Sequence, residues 1–107
     1  MDIKKKFGLK IKRLRMKSGY TQEELAEKVG IAARTMSGIE IGENFVTAST
    51  LEKLLTELHI SPAELFAFDH IKPQEELVTE IINDIKKLKN RNKIETIYKI
   101  VKAVIVE

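Results

Sequence analysis

The stretch TQEELAEKVGIAARTMSGIEIG, residues 21–42, predicts two short helices joined by a tight turn. Thr21 is suited to cap the first of them, because its hydroxyl can accept a free backbone N–H and Glu24, three residues later, can reach back to the N–H of Thr21. Gly30 can end this helix in a backbone conformation that only glycine adopts at little cost. The second helix is expected over residues 33–40, and an apolar residue in the turn fills the angle between the two helices.

Three further helices are predicted around this pair. Upstream, apolar residues with helical spacing form one stripe of a first helix that stops at Gly19: Phe7, Ile11 and Leu14. Downstream, either Thr47 or Ser49 begins a fourth helix whose leucines have helical spacing. The dipeptide Ser61-Pro62 begins a short fifth helix, expected over residues 63–68. The sequence therefore predicts an all-α fold.

The composition of the 107-residue chain is typical of one small globular domain with an appendage, since 43% of the residues are hydrophobic and no low-complexity tract occurs. No run approaches the roughly 18 apolar residues of a membrane span, and the first residues have no signal-peptide pattern. We therefore expect a cytoplasmic protein. The absence of cysteine excludes disulfides, thiolate zinc sites and thiol catalysis.

Positive charge is concentrated in the first helix. Residues 3–17 carry eight Lys or Arg and no acid, whereas residues 18–70 carry three basic residues against nine acidic ones. A basic helix beside a weakly acidic remainder is what attraction to a phosphate backbone requires. The alternative interpretation is that these cations only form a solvated helix face.

Three segments carry a resemblance to a known family: IKRLRMKSGYTQEELAEKVGI at 11–31, TMSGIEIG at 35–42 and TLEKLLTELHISPAELF at 50–66. In this order and at this spacing, residues 7–66 resemble the helix-turn-helix domain of the Cro/C1 repressor family, also called the XRE family. The resemblance implies a five-helix, lambda-repressor-like DNA-binding domain over residues 1–70, in which the second and third helices form the DNA-binding unit.

The resemblance also assigns DNA contacts to individual residues. The positions that match the base-reading set of the family are Ala33, Arg34, Ser37 and Gly38. Thr35 matches a phosphate-contacting position, Gln22 is implied to contact the DNA backbone, and Asn44 in the following loop is a further candidate. Only Arg34 can make the bidentate contact to guanine that supplies most direct readout. Gly38 either allows close approach to DNA or is merely tolerated in the helix.

Two charged residues are interpreted as structural. Arg15 lies near the end of the first helix and Glu40 at the end of the third, and each is flanked by residues of a buried stripe. A charge pair between them would join these helices, and the family resemblance implies such a partly buried ion pair. We therefore expect Arg15 and Glu40 to support the fold rather than to contact DNA.

The loop after the third helix departs from the family pattern. Many relatives place Lys or Arg there for phosphates and a proline before the fourth helix, whereas this chain has Glu43, Phe45 and Val46. DNA binding would then depend more on the lysines of the first helix and on DNA shape. The alternative is that Phe45 and Val46 form part of a protein-binding surface.

Residues 71–107 form a second segment, which the resemblance does not cover. Its apolar residues form two stripes with helical spacing on either side of Asn90-Arg91-Asn92, which predicts a helical hairpin or one long bent helix. The last β-branched residues could also form a short strand. A segment this short cannot hold a core alone, so it packs either on the first domain or on the same segment of a second chain. We favour a homodimer through residues 74–107, because operator sites are usually read by symmetric dimers.

The sequence contains no recognisable catalytic, metal-binding or cofactor-binding pattern, so we expect a protein that is not an enzyme and uses no cofactor or metal. Its two histidines, His59 and His70, are interpreted as structural or surface residues. The favoured hypothesis is a sequence-specific DNA-binding transcriptional regulator, a repressor that binds operator DNA as a dimer through residues 21–40. The competing hypothesis is a protein-interaction module on the same scaffold, an antitoxin or antagonist with weak DNA binding.

Overall fold

The computed structural model describes residues 1–106 and is helical throughout. Its helices are α1 (Ile3–Lys17), α2 (Gln22–Val29), α3 (Ala33–Glu40), α4 (Ala48–Leu58), α5 (Pro62–Leu65), α6 (Gln74–Lys87) and α7 (Arg91–Ile105). No strand occurs within the described residues, so the prediction of an all-α fold is confirmed. The backbone divides into two compact units, a first unit of residues 1–71 and a second unit that begins at Lys72.

Helices α1 to α5 surround one hydrophobic core in the first unit. All five helices contribute buried side chains to it: Phe7, Ile11, Leu25, Ala26, Val29, Met36, Ile39, Leu54, Leu58 and Leu65. Within each helix these residues recur at helical intervals, because only one face of the helix is turned toward the core. The apolar stripes in the sequence are therefore the buried faces of the helices.

The ends of α2 form as the sequence predicts. The Thr21 hydroxyl accepts the N–H of Glu24 at 3.0 Å, and the Glu24 carboxylate accepts the N–H of Thr21 at 3.0 Å. The hydrogen bond from the Thr21 backbone lowers the pKa of Glu24. Gly30 ends the helix with a φ of 74°, in the left-handed region that glycine adopts without a steric penalty. Of the two caps considered for α4, Thr47 is used rather than Ser49.

The fifth helix is shorter than predicted. It ends at Leu65, so the prediction of a helix over residues 63–68 is wrong. The chain leaves the helix because the Phe66 ring packs against Phe7, with 5.6 Å between their centroids, and the turn that follows buries Ile71. Burial of these large side chains outweighs the few hydrogen bonds that another helical turn would add.

Helices α1 and α3 approach each other closely at Gly8. A Cβ atom added to Gly8 would lie 2.6 Å from the carbonyl oxygen of Glu40 and still closer to that of Ile39. No carbon and oxygen atoms pack at such distances, so a side chain at this position would separate the two helices. Gly8 therefore fixes the end of α3 against α1.

The second unit contains two separate helices rather than one bent helix. Leu88 ends α6 in an extended conformation with a ψ of 134°, and Asn90 caps α7 by accepting the N–H of Lys93 at 3.1 Å. Because α7 continues to Ile105, the prediction of a short terminal strand is wrong. A strand without a neighbour would leave its backbone groups unpaired, whereas a helix pairs them internally. Glu107, the last residue of the predicted segment, lies outside the described residues.

The apolar faces of α6 and α7 are only partly buried, since Leu77, Ile85, Ile94 and Ile97 are half-buried and the rest are exposed. Neither helix contains a buried side chain. The large apolar side chains exposed on them are Val78, Ile81, Ile82, Tyr98, Ile100, Val101, Val104 and Ile105. Large apolar side chains exposed in this number are typical of a site that contacts another chain. Within residues 1–106, the helices are too short or too polar to cross a lipid bilayer.

Candidate nucleic-acid interface

A buried ion pair joins α1 to the end of α3. The Arg15 Nε donates to Glu40 Oε2 at 2.6 Å and Nη2 donates to Oε1 at 3.0 Å, while Nη1 donates to the carbonyl oxygen of Tyr20 at 2.8 Å. The two charged side chains are only 11% and 2% exposed. The hydrogen bond to Glu40 raises the pKa of Arg15. The predicted ion pair between Arg15 and Glu40 is thus formed and joins α1 to α3.

Gln22 joins the same cluster from α2. Its amide Nε2 donates to Glu40 Oε1 at 3.0 Å, so the carboxylate of Glu40 accepts hydrogen bonds from both α1 and α2. The family resemblance implied a contact of Gln22 with the DNA backbone and gave no sign of this inward bond, because the bond joins residues 18 positions apart in sequence. One N–H of the amide is not used by Glu40. The hydrogen bonds of Arg15 and Gln22 to Glu40 therefore hold the end of α3 against α1 and α2.

The outer face of α3 carries the candidate base-reading residues. Met36, Ile39 and Glu40 are buried on the inner face, whereas Arg34 lies on the opposite side of the helix and is exposed. Thr35 is exposed as well. Ala33 and Ser37, which are four residues apart, are half-buried on the same flank of this face. The helix therefore presents one guanidinium and two hydroxyl groups to a potential ligand.

Gly38 is buried, although the family resemblance assigned it to a base-reading position. It lies one turn beyond Arg34 on the outer face, yet it is buried, because the loop after α3 folds back over it. The N–H groups of Glu43 and Asn44 donate to the Gly38 carbonyl oxygen at 2.9 and 3.2 Å. A Cβ atom at Gly38 would overlap Asn44 Nδ2 and lie 3.1 Å from Asn44 Cγ. The side chain of Asn44 thus covers Gly38 and is itself exposed.

The apolar residues of this loop, Phe45 and Val46, pack against the first unit. The Phe45 ring packs against the buried Phe7 ring with 4.9 Å between centroids. Val46 is half-buried and packs against the core of the first unit. Both residues attach the loop to the domain. Phe45 nevertheless remains 44% exposed, so part of its ring stays accessible.

The cations of α1 are available to an external anion. Apart from Arg15, the helix carries seven Lys or Arg: Lys4, Lys5, Lys6, Lys10, Lys12, Arg13 and Lys17. Within residues 1–106, none of the seven lies within 4.0 Å of a carboxylate. Their charge is therefore not neutralised inside the first unit. Residues 1–106 also contain no cluster of His, Cys, Asp or Glu side chains that could hold a metal ion.

Comparison with known proteins places the chain in a family. A helix-turn-helix family matches residues 11–65. The chain is 37% identical over 65 residues to the uncharacterised HTH-type transcriptional regulator y4dJ of Sinorhizobium fredii, which covers 61% of this chain and 84% of that protein. It is 39% identical over 67 residues to the control protein C.MunI of a Mycoplasma species, which covers 62% of this chain and 90% of that protein.

The fold also has a solved counterpart. The structure of the restriction-modification controller protein C.AhdI from Aeromonas hydrophila is similar with a TM-score of 0.54 and 38% identity, over 57% of this chain and 92% of that one. Residues 11–65, which match the helix-turn-helix family, include α2, α3 and the Arg15–Glu40 pair. The chain therefore belongs to the Cro/C1-type (XRE) family of helix-turn-helix transcriptional regulators.

Proposed function

We propose that this protein is a sequence-specific DNA-binding transcriptional regulator, a repressor that occupies operator DNA in the cytoplasm as a homodimer. The observation that carries the proposal is the outer face of α3. Arg34 is exposed there and has no carboxylate partner within residues 1–106, on a helix whose inner face is held at Glu40 by α1 and α2. A rigidly held helix with an unpaired guanidinium suits bidentate recognition of guanine.

Each candidate side chain has a separate contact in this proposal. Arg34 binds the O6 and N7 atoms of a guanine, Ala33 contacts a thymine methyl group, and Ser37 hydrogen-bonds one base edge. Thr35 and the remaining N–H of Gln22 bind phosphate oxygens beside the groove. One strong base contact and several weak ones favour moderate specificity, which DNA shape then supplements.

The cations of α1 supply attraction that does not depend on sequence. Each phosphate that they neutralise releases a counterion, so the logarithm of the affinity falls with the logarithm of salt concentration by about 0.9 per contact. Replacing a contacting lysine such as Lys12 by alanine should lower this slope by about 1 and weaken binding equally on all sequences.

The second copy is proposed to dock on α6 and α7. Most of their large apolar side chains are exposed and four are half-buried, while residues 72–106 contain no buried side chain from which a core could form. An identical pair of stripes on a second chain is complementary by symmetry, and two linked DNA-binding units read two half-sites about one helical turn apart.

The DNA-binding claim is tested by selecting bound sequences from random duplexes with the full chain. We expect one enriched motif containing a guanine. Arg34→Ala should weaken binding to that motif roughly 5- to 150-fold without changing the circular dichroism spectrum. The matched control is Lys53→Ala, which removes one exposed positive charge from α4 and should have little effect. No enrichment by the wild-type chain would refute the proposal.

The homodimer is tested by sedimentation of the full chain. Ile81→Glu combined with Val101→Glu places two charges on the apolar faces and should convert a dimer into a monomer. Asn83→Glu combined with Thr96→Glu places the same charges on the opposite faces and should leave the dimer intact. A wild-type monomer would refute this part and favour the antitoxin or antagonist hypothesis, in which α6 and α7 bind a different protein.

A further inference from the structure

The outer face of α3 lacks one side chain where its geometry would place one. Arg34 and Gly38 are four residues apart and share the face opposite the buried Met36. Any other residue at position 38 would project a side chain toward the same ligand as Arg34. Glycine is also among the least favourable residues in a helix interior, so its presence here requires a compensating contact.

Asn44 supplies that contact. Its amide occupies the space in which a side chain of residue 38 would begin, since a Cβ atom there would overlap Nδ2 and lie 3.1 Å from Cγ. Two hydrogen bonds hold the loop in place, from the N–H groups of Glu43 and Asn44 to the Gly38 carbonyl oxygen. These bonds hold the backbone of Asn44 beside Gly38, and the amide then lies over the space that the glycine leaves open.

The amide of Asn44 has no internal hydrogen-bond partner. Asn44 is exposed, and within residues 1–106 no group donates to or accepts from its side chain. An exposed, positioned amide with both its donors and its acceptor unused can pair with a base edge. Asparagine forms two hydrogen bonds with the N6 and N7 atoms of adenine in the major groove, and no other base offers that pattern.

We propose that Asn44 replaces the missing side chain of residue 38 and reads an adenine next to the guanine bound by Arg34. Four helical residues rise about 6 Å, which is close to two base-pair steps of about 3.4 Å. The adenine is thus expected within about two base pairs of the guanine. This inference rests on the proposed DNA-binding function and adds a specificity-determining residue to it.

The test compares the motifs selected from random duplexes by the wild-type chain, Asn44→Ala and Gly38→Ala. The wild-type motif should contain an A·T pair within about two positions of the guanine, and Asn44→Ala should lose roughly 5- to 150-fold discrimination at that pair alone. Gly38→Ala retains the side chains of Arg34 and Asn44 but displaces the amide of Asn44, so it should lose the same preference. Asn83→Ala, on the exposed face of α6, is the matched asparagine control and should select the wild-type motif.

Three results would overturn the inference. Equal weakening of all sequences by Asn44→Ala would assign Asn44 to a phosphate. Retention of the A·T preference by Gly38→Ala would show that packing of the Asn44 amide over Gly38 is not needed for it. A wild-type motif without that A·T pair would show that Asn44 does not read an adenine. Failure of the proposed function is a distinct outcome, because the wild-type chain would then enrich no motif, and the inference would fall with it.

Discussion

Gly8→Ala should destabilise the protein although it replaces glycine by the best helix former. In an unobstructed helix the change would add about 1 kcal/mol of stability. Here the new Cβ atom would lie 2.6 Å from the carbonyl oxygen of Glu40, and closer to that of Ile39. Carbon–oxygen contacts are normally at least about 3.3 Å, so the closer of these two clashes requires α1 and α3 to separate by roughly 1 Å.

The cost of that separation exceeds the gain in helix propensity. Overpacking against a core that cannot yield costs about 1–3 kcal/mol, and backbone oxygens cannot rotate away as a side chain could. Separation also stretches the Arg15–Glu40 pair, whose hydrogen bonds measure 2.6 and 3.0 Å. We therefore expect a net loss of about 2 kcal/mol in the free energy of unfolding.

Urea unfolding followed by circular dichroism measures this change, with an unaltered slope showing that the unfolded state is unaffected. The matched variant is Gly38→Ala, also a helical glycine, whose new Cβ meets the far end of the Asn44 side chain instead of backbone atoms. It should be neutral or gain up to about 1 kcal/mol. If Gly8→Ala proves as stable as the wild type, the close contact of α1 with α3 is not as described.

Three further changes have effects of defined sign. Glu40→Ala should lose about 3–5 kcal/mol of unfolding free energy, because it leaves the charge of Arg15 buried without a partner. His59→Gly should gain about 1 kcal/mol, since His59 ends α4 with a φ of 53° that strains any residue carrying a Cβ. Glu24→Gln should destabilise the protein near neutral pH, because the lowered pKa of Glu24 stabilises the fold above its unfolded-state value. That difference between Glu24→Gln and the wild type should disappear as the pH falls through the folded-state pKa.

Each of these changes has a control in the same chain. Glu43→Ala removes an exposed acid close to Glu40 and should alter stability by less than about 0.5 kcal/mol. His59→Ala retains the Cβ atom and should not show the gain of the glycine variant. A destabilisation by Glu24→Gln that persists unchanged at acidic pH would show that its hydrogen bond with Thr21 does not depend on charge. All three comparisons use unfolding measured across pH or denaturant.

Much of the first unit could be predicted because its signals are local. The capping box at Thr21 and the glycine at position 30 act within one turn of chain, so the bounds of α2 follow from sequence spacing. The bounds of α3 also match the prediction, although Ala32 makes no side-chain cap hydrogen bond and Ile41 ends the helix in a right-handed conformation. The end of α5 could not be placed, because it depends on an aromatic contact between Phe66 and Phe7, which lie far apart in sequence.

The candidate site was less predictable than the fold. Its residue positions were expected from the family resemblance, but the contacts that orient them join distant segments. Packing of the helices determines the hydrogen bond from Gln22 to Glu40. Packing of the loop determines the contact of the Asn44 side chain with Gly38. The glycine inside a helix was the one sequence signal for the second contact, and it did not identify its partner.

The most direct test of the central claim is a double-mutant cycle between Arg34 and the guanine of the selected operator. Dissociation constants would be measured for the wild-type chain and Arg34→Ala, each on the selected duplex and on a duplex in which that guanine is replaced by adenine. Direct readout predicts a coupling energy of about 1–3 kcal/mol, so that the base change weakens the wild type but not the variant. Equal effects of the base change on both proteins would contradict recognition of DNA through the outer face of α3.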